Sequence, residues 1–451
     1  MFFVALSIIP CVALFFYRRP LVLLYMSPML ILVDTIFDES SLGVEGLAQR
    51  SIRLLPTDPV YFFTILLLGL YALLHRNRLV SLLKENLFLS IFLAIVALYV
   101  VIDTPTYGKT AIGEARKSYF MFLLPLLALV VIRKPEELRR FVRVVISSAV
   151  FAMFYTLALA ATKGTIIRAV DSDISLIIAF AALAMLIHRF HRVVVFHPTV
   201  DRLLLFLFAG LTVGSGHRSV WLAVGLGLFL LLLLHSHRRT LMAKIAVVGL
   251  ALVIALGTTF VYFPKAGARL GEKFAGIIDP FSDTTGSWRI EGWHYQLERL
   301  EKSGKLLFGE GFGGYFRWEV GETTVGFTPH NAYVQLALKL GLFGLAIYSL
   351  LAFEFFRKTF VCRKRLPPGP MKAYLDIGIL NFGAGHGYML GYGITPIILV
   401  FFAVAICAIK LSANVLKVTS RLPAHAGRRA SRIGWQPNMR AQRAPMPRYE
   451  R

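Results

Sequence analysis

The chain has 451 residues, of which 57% are apolar and only 16% are charged. A soluble domain is about a quarter charged, and here apolar runs of roughly 18 residues or more, each long enough to cross a bilayer as a helix, recur from end to end. These features exclude a soluble globular protein and predict an all-α polytopic membrane protein.

The formal net charge of +24 does not indicate nucleic-acid binding. The basic residues cluster in short loops beside the apolar runs, which is typical of a membrane protein whose positive loops stay in the cytoplasm. The three cysteines indicate neither a disulfide framework nor a zinc site. We therefore expect membrane lipids, and no nucleic acid, among the partners of this chain.

The apolar runs predict about 12 or 13 membrane spans. Residues 2–36 are interrupted at Arg18-Arg19-Pro20, so they form either one bent unit or two short spans. The last run is too long for one span, and the glycine-rich stretch 383–393 is expected to divide it. The runs after the first are 59–75, 86–102, 118–132, 141–161, 173–190, 200–214, 219–234, 242–263, 333–356 and 373–409.

The distribution of Lys and Arg predicts the orientation of the loops. Alternate loops are strongly basic, as in Arg76-Asn77-Arg78 and His237-Arg238-Arg239, and these belong in the cytoplasm. The loops between them then face the opposite side of the membrane. These predicted outer loops are 37–58, 103–117, 162–172, 214–219, 264–332 and 383–393.

This pattern divides the chain into four parts. N-terminal transmembrane helices occupy residues 1–263, a large outer loop with an amphipathic helix follows at 264–332, and C-terminal transmembrane helices occupy 333–409. The basic tail, 410–451, carries eight arginines against one acid from Arg421 onward and is expected to be cytoplasmic and disordered.

The outer loop contains one clear helical signal. Ile290, Trp293, Leu297 and Leu300 recur at helical spacing, and Ser287 is the predicted N-cap. The pattern predicts an amphipathic helix that lies on the membrane surface or packs on the spans.

The boundary between the outer loop and the next span carries the first candidate for chemistry. His330 follows a proline, and Asn331 is placed to cap the span that begins there. An imidazole at this depth can take a proton from a hydroxyl group. The alternative is an interfacial histidine with no chemical role.

Outer-side cations are candidates for binding an anion. Arg218 lies in a short outer turn, where the positive-inside rule does not predict a cation. Its side chain either binds phosphate or only extends to the lipid headgroups. Arg289 and Trp293 lie on one helical face. Either Arg289 binds an anion while Trp293 anchors the helix at the membrane interface, or the two form a structural cation–π pair. Arg116 and Lys117 are a second phosphate contact or ordinary interfacial anchors.

Two further motifs have both a functional and a structural interpretation. Asp171 and Asp173 offer two carboxylates for a divalent metal, but no third hard ligand lies near in sequence, so an N-cap for the span that follows is favoured. His386 lies in the glycine-rich outer stretch, where it either lines a site or occupies a turn.

Three motifs in order resemble the O-antigen ligase and polymerase superfamily of membrane glycosyltransferases. The first is the turn Ser215-Gly216-His217-Arg218-Ser219, in which His217 is an insertion relative to the usual Ser-Arg form. The second is Arg289, three residues, Trp293 and then the Gly-x-Gly turn 309–313. The third runs from His330-Asn331-Ala332-Tyr333 to Gly341-Leu342-Phe343-Gly344-Leu345. The order and the long outer segment also agree.

The resemblance implies a fold and a reaction. The fold is of the GT-C glycosyltransferase type, with about 12 transmembrane helices and one large, mostly helical periplasmic loop. The reaction moves a glycan from an undecaprenyl diphosphate carrier to the lipid A core oligosaccharide, at the periplasmic face of the bacterial inner membrane. It uses no nucleotide sugar, ATP, metal or other cofactor.

The resemblance also implies residue roles. His330 matches the catalytic histidine, and Arg218 and Arg289 match the diphosphate-binding arginines, with Arg116 and Lys117 as further candidates. The supporting residues are His217, Trp293, Asn331 and Tyr333. One sugar diphosphate must bridge base and arginine, so His330 has to lie within about 15 Å of Arg218 or Arg289.

Other functions stay open at this point. A repeat-unit polymerase and a protein O-oligosaccharyltransferase of the same superfamily would use the same residues, although only one outer loop exceeds about 60 residues, which favours the ligase. A membrane solute transporter is the alternative from a different class. It would carry charged or broken helices near the bilayer midplane, whereas most ionisable residues here lie at span ends.

Overall fold

The structure, a computed structural model, describes residues 12–41, 56–234, 268, 271, 284–313, 318–320, 323–325 and 330–420. These residues form helices connected mostly by short turns, together with one small two-stranded antiparallel sheet. The helices are α1 (Pro20–Ser41), α2 (Asp58–Leu74), α3 (Arg76–Glu85), α4 (Leu87–Tyr107), α5 (Lys109–Ser118), α6 (Leu123–Val131), α7 (Pro135–Lys163), α8 (Ser172–Phe190), α9 (Pro198–Gly214), α10 (Arg218–Leu234), α11 (Thr284–Lys302), α12 (Ala332–Arg365), α13 (Pro370–Met389) and α14 (Pro396–Ser420), and the strands are β1 (Trp318–Val320) and β2 (Thr323–Val325).

Six of these helices, α1, α4, α7, α8, α12 and α14, are long and apolar enough to cross a membrane within the described part of the chain. The number rises to seven if the bent pair α2 and α3 is one span. The polytopic membrane class is therefore confirmed, while the total of about 12 spans stays a prediction. The predicted span 242–263 and most of the predicted tail lie outside the described residues.

Two loops of the sequence interpretation contain helices instead. The basic segment after α2 forms α3, which turns back by 116° from α2. The predicted outer loop 103–117 is mostly helical, because α4 continues to Tyr107 and α5 follows after Gly108. In both segments polar and apolar residues alternate with helical period. A segment with this pattern can form a helix that lies flat on the membrane surface as readily as it can form a loop.

The centre of the bundle is α13, of which 17 of 20 residues are buried. The predicted division of the run 373–409 is confirmed, because α13 ends at Met389 and α14 begins at Pro396. The break lies at 390–395, at the end of the glycine-rich stretch, and the helix continues through Gly383, Gly385 and Gly387. A side chain at Gly383 would collide with Leu230 of α10, and one at Gly385 with Ile398 of α14. These glycines allow close helix packing, as small residues do between membrane helices.

Loops that the charge pattern assigns to the same side of the membrane lie at the same end of the bundle. At one end, which we call the basic end, the side chains of His191 and Arg363 both contact Asp376. At the other end, which we call the His330 end, the starts of α8, α10 and α12 lie beside the break after α13. This arrangement brings together residues that are more than 200 positions apart in the chain, as in the contact of Tyr388 with Asp173.

Helix α12 is interrupted shortly after it begins. Gly341 has φ 71° and ψ −178°, so the helical hydrogen bonds across it are lost. The Gly-x-Gly loop repairs the break: the amides of Glu310 and Gly311 donate to the carbonyls of Leu338 and Lys339 at 2.7 and 3.1 Å.

The exchange is reciprocal. The amides of Leu342 and Phe343, which follow the break, donate to the carbonyls of Leu306 and Leu307 at 2.9 and 3.1 Å. Non-helical backbone inside an apolar bundle is stable only when its polar groups are paired in this way. The loop therefore fixes the first turns of α12, where His330 and Asn331 lie.

The amphipathic helix of the outer loop is α11, and it packs on the first turns of α12. Leu300 is buried with Val334 and Leu338, and Trp293 lies against them. The prediction of Ser287 as N-cap was wrong, since the helix begins at Thr284 and Ser287 donates from its hydroxyl to Glu291 one turn later.

Candidate active site

His330 lies shortly before the first residue of α12, and its backbone is unusual. Its φ of 39° lies in the left-handed region, which few non-glycine residues adopt. The next residue, Asn331, is the N-cap of α12 and accepts hydrogen bonds from the amides of Tyr333 and Val334 at 2.9 and 3.1 Å. The predicted cap is thus confirmed, and it fixes the direction in which His330 leaves the helix.

Aromatic rings surround the imidazole of His330. The ring of Tyr392, from the break between α13 and α14, lies 5.6 Å from it in an edge-to-face arrangement. The indole of Trp288, from α11, lies 6.2 Å away in a similar geometry. The two contacts come from segments that are about 40 and 60 residues away in sequence, so tertiary packing and not local structure builds this site.

This environment keeps the imidazole neutral. Burial and, to a smaller extent, the nearby guanidinium of Arg289 lower the pKa of His330 to about 4, while the carboxylate of Asp171 acts in the opposite direction. At neutral pH one of the two ring nitrogens therefore carries no proton. Such a group is in the protonation state that a general base requires.

Arg289 lies beside His330 and shares its aromatic neighbours. Its guanidinium carbon is 5.5 Å from the centre of the Tyr392 ring and 5.7 Å from that of Trp288, and one of its nitrogens donates to the Gly391 carbonyl at 3.3 Å. Through the shared Tyr392 ring, the guanidinium and the imidazole are within about 11 Å of each other, a gap that one sugar diphosphate can bridge.

The charge of Arg289 has no carboxylate partner among the described residues. The Nε of Arg289 is buried and has no hydrogen-bond partner among the described residues. Burying a guanidinium without a countercharge is costly, so the arrangement suits an anion supplied from outside. Two parallel N–H groups of arginine match the oxygens of a phosphate.

The turn that contains Arg218 is tied to the loop before α8. Its neighbour His217 is buried and forms a hydrogen bond to the Val170 carbonyl at 2.9 Å, and burial lowers the pKa of its imidazole. The amide of Arg168 donates to the Ser215 carbonyl at 2.9 Å. The inserted His217 therefore has a structural function, since it fixes the turn from which α10 and Arg218 begin.

Asp171 links this turn to His330. Its carboxylate is near enough to raise the pKa of both His217 and His330. It is the N-cap of α8 and accepts from the amide of Ser172 at 2.5 Å, so the N-cap interpretation is confirmed. Asp173, the other acid of this motif, accepts a hydrogen bond from the Tyr388 hydroxyl at 2.6 Å. The described residues contain no group of three or more possible metal ligands.

Comparison with known proteins agrees with the three motifs. Residues 203–349 match the family model described as O-antigen ligase. This domain belongs to the O-antigen ligase family. The matched region includes Arg218, Arg289 and His330, whereas Asp173 and Tyr392 lie outside it. A comparison with curated proteins gave no match.

The other residues expected from the O-antigen ligase resemblance lie in different surroundings. Arg116 forms an ion pair with Asp58 at 2.7 Å, and the side chain of Lys117 lies outside the described part of the structure. Tyr333 points into the bundle, where its hydroxyl donates to the His386 carbonyl at 3.4 Å. Trp293 packs on the apolar cluster between α11 and α12.

Sequence reasoning missed three aromatic residues of this site. Trp288 and Tyr392 contact both His330 and Arg289, and Tyr388 stacks on Tyr392 with ring centres 5.0 Å apart. Tyrosine and tryptophan near the end of a span usually mark the membrane interface, so nothing in the sequence distinguished these rings. The one feature that could have indicated them is the spacing of Tyr388 and Tyr392, which are one helical turn apart within the predicted outer stretch 383–393.

Proposed function

We propose that this protein is an O-antigen ligase that acts in lipopolysaccharide biosynthesis in the bacterial inner membrane. In this proposal it transfers a glycan from undecaprenyl diphosphate to the lipid A core oligosaccharide at the periplasmic face. The observation that carries the proposal is the pair His330 and Arg289, a neutral base and an unbalanced cation that both contact one tyrosine ring.

The reaction is a single displacement with inversion. A hydroxyl oxygen of the acceptor forms a bond to the anomeric carbon of the donor sugar while the bond from that carbon to the phosphate oxygen breaks. The hydroxyl proton passes to a ring nitrogen of His330, and undecaprenyl diphosphate leaves with the electron pair. Arg289 and Arg218 stabilise the charge that develops on the diphosphate.

Donor binding also prepares the base. A histidine with a pKa of about 4 is neutral but a weak proton acceptor. The diphosphate brings negative charge next to Arg289, which offsets the effect of that cation on His330. The pKa of His330 therefore rises when the donor is bound, so the imidazole is a stronger base in the complex than in the free enzyme.

The architecture supports the same proposal. His330 and Arg289 lie together at the end of the bundle that the charge pattern assigns to the outside, where a polyprenyl-anchored diphosphate would lie at headgroup depth. A GT-C type helical fold of about 12 spans is consistent with the described helices. The large outer loop contributes Arg289 to the site through α11.

A reconstituted transfer assay tests the proposal. Purified protein in liposomes is given a polyprenyl diphosphate glycan together with lipid A core, and glycan attached to the core is measured. Growth of the glycan on its carrier would instead indicate a polymerase, and transfer to an added acceptor protein would indicate an O-oligosaccharyltransferase. Solute uptake without any transfer would identify a transporter and reject the proposal.

A further inference from the structure

One tyrosine contacts both of the residues on which the proposed reaction depends. Tyr392 lies 5.6 Å from the His330 imidazole and 5.5 Å from the Arg289 guanidinium carbon, measured from its ring centre. The two contacts are of different kinds, edge-to-face for the imidazole and cation–π for the guanidinium. The main chain next to it, at Gly391, also accepts a hydrogen bond from Arg289.

Tyr392 belongs to a turn, and a second aromatic ring packs against its own ring. The ring of Tyr388 is stacked on it with an interplanar angle of 13° and a centre separation of 5.0 Å. Tyr388 is completely buried. The amides of Gly391 and Tyr392 both donate to the Tyr388 carbonyl, at 3.0 and 3.1 Å, so the backbone between the two tyrosines is fixed as well.

Tyr388 is in turn held by the N-terminus of α8. The Tyr388 hydroxyl donates to the Asp173 carboxylate at 2.6 Å and lies 2.8 Å from the Ser172 hydroxyl. A charge-assisted hydrogen bond of this length inside a packed bundle holds the ring in one orientation. A chain of contacts therefore runs from Asp173 through Tyr388 and Tyr392 to the base and the arginine.

We propose that Tyr392 is a positioning residue that sets His330 and Arg289 at their working separation, with Tyr388 and Asp173 as its anchor. The inference rests on the proposed function, in which one sugar diphosphate has to reach both groups. Neither α11 nor the start of α12 could hold this separation alone, because Arg289 and His330 come from different segments and both side chains rotate. A ring that both of them touch removes that freedom.

The proposal gives Asp173 a use other than metal binding. Asp173 orients Tyr388, whereas Asp171 caps α8 and faces the two histidines. Besides burial, which lowers the pKa of His330 most, the charged groups that shift this pKa are Arg289 and Asp171, and Tyr392 determines how close Arg289 stays. Moving Arg289 away from His330 should be visible in the pH dependence of the reaction.

The test compares Tyr392→Leu with Tyr392→Phe in the liposome assay. The leucine variant loses the ring, so the donor KM should rise about tenfold, the size of a partly buried cation–π contact. The acid limb of its pH profile should move to higher pH, because His330 loses the repulsion from Arg289. The phenylalanine variant keeps the ring, so it should restore both quantities to near the wild-type values.

Tyr388→Phe, which loses the bond to Asp173, should change them in the same direction as the leucine variant, by about threefold in KM.

Binding of undecaprenyl diphosphate without a glycan separates this inference from the proposed function. Tyr392→Leu should bind it about tenfold more weakly than wild type and Tyr392→Phe normally. If wild type binds it but transfers no glycan, the proposed function fails and the binding comparison still decides the role of Tyr392. Wild-type binding and kinetics in the leucine variant, or lost activity with an unmoved acid limb, would overturn the inference, as would absence of binding by wild type.

Discussion

The two ends of the helical bundle treat buried charge in opposite ways. At the basic end, Asp376 is fully buried and is held by Arg363 through its Nε and by His191 at 2.8 Å. At the His330 end, Arg289 is half buried, yet the described residues give it two aromatic rings and one carbonyl instead of an acid. The first arrangement is complete within the protein, whereas the second has the charge that the proposed binding of an anion requires.

This difference separates stability from activity. Asp376 belongs to α13, and its two partners are Arg363 of α12 and His191, the C-cap of α8, so these contacts connect three helices of the bundle. An unbalanced cation contributes nothing comparable to stability, because its burial is a cost. We therefore expect variants at the basic end to destabilise the protein and variants at the His330 end to inactivate it.

The largest effect is expected for His330→Ala. Loss of the general base should lower the rate of glycan transfer by about 10²- to 10⁴-fold, with unchanged insertion and unfolding temperature. The rate is measured in the liposome assay and the stability by thermal unfolding in detergent. His294→Ala is the matched control, because His294 is an exposed histidine on the neighbouring helix α11. Retention of a tenth or more of the activity would remove His330 from the mechanism.

The opposite signature is expected for Asp376→Asn. Removing one partner from a buried ion pair leaves the others uncompensated, so the free energy of unfolding should fall by about 3–5 kcal/mol. The transfer rate per folded molecule should stay close to that of wild type. Glu136→Gln serves as control, since Glu136 is an exposed acid at the same end. A stable but inactive Asp376→Asn variant would contradict the division between the two ends.

A smaller effect is expected for Arg289→Lys. The lysine keeps the charge but loses the planar pair of donors and the stacking on Tyr392, so donor kcat/KM should fall about 10- to 100-fold, mostly through KM. Arg218→Lys should change the same quantity in the same direction. The exposed Arg202 of α9 offers the control Arg202→Lys. If the variant at Arg289 has normal donor KM, Arg289 acts only as a structural cation–π partner.

The sequence predicted the parts of this architecture that depend on local patterns. Apolar runs, basic loops and the Asn331 cap are determined by residues within one or two helical turns, and the structure agrees at α2, α4, α8 and α12. The glycines near Gly383 show the limit of such reasoning. Glycine both ends helices and lets them pack closely, and only the position of Leu230 on another helix shows which applies.

The candidate site was predictable in part for the same reason. His330, Arg218 and Arg289 could be named because histidine and outer-side arginine are unusual at these depths. The partners of His330 could not, because Tyr392 and Trp288 reach it from segments far away in the sequence. The break at Gly341 is a similar case: its repair by the loop that contains Glu310 depends on contacts that no local pattern encodes.

The smallest effect, and the most specific, is a shift between two pH profiles. The profile of kcat/KM reports the free enzyme, so its acid limb should follow the pKa of His330 at about 4, and activity should fall as the pH drops through that value because the base becomes protonated. The profile of kcat reports the complex, in which the donor diphosphate offsets the charge of Arg289. Its acid limb should therefore lie at higher pH than that of kcat/KM.

In Arg289→Gln the repulsion is absent already in the free enzyme, so the limb of kcat/KM should move up toward that of kcat. Initial rates in liposomes buffered between about pH 3.5 and 8 measure both limbs. Coincident limbs in wild type would mean that the diphosphate does not bind next to Arg289, and the anion would then have to be sought at Arg218 instead.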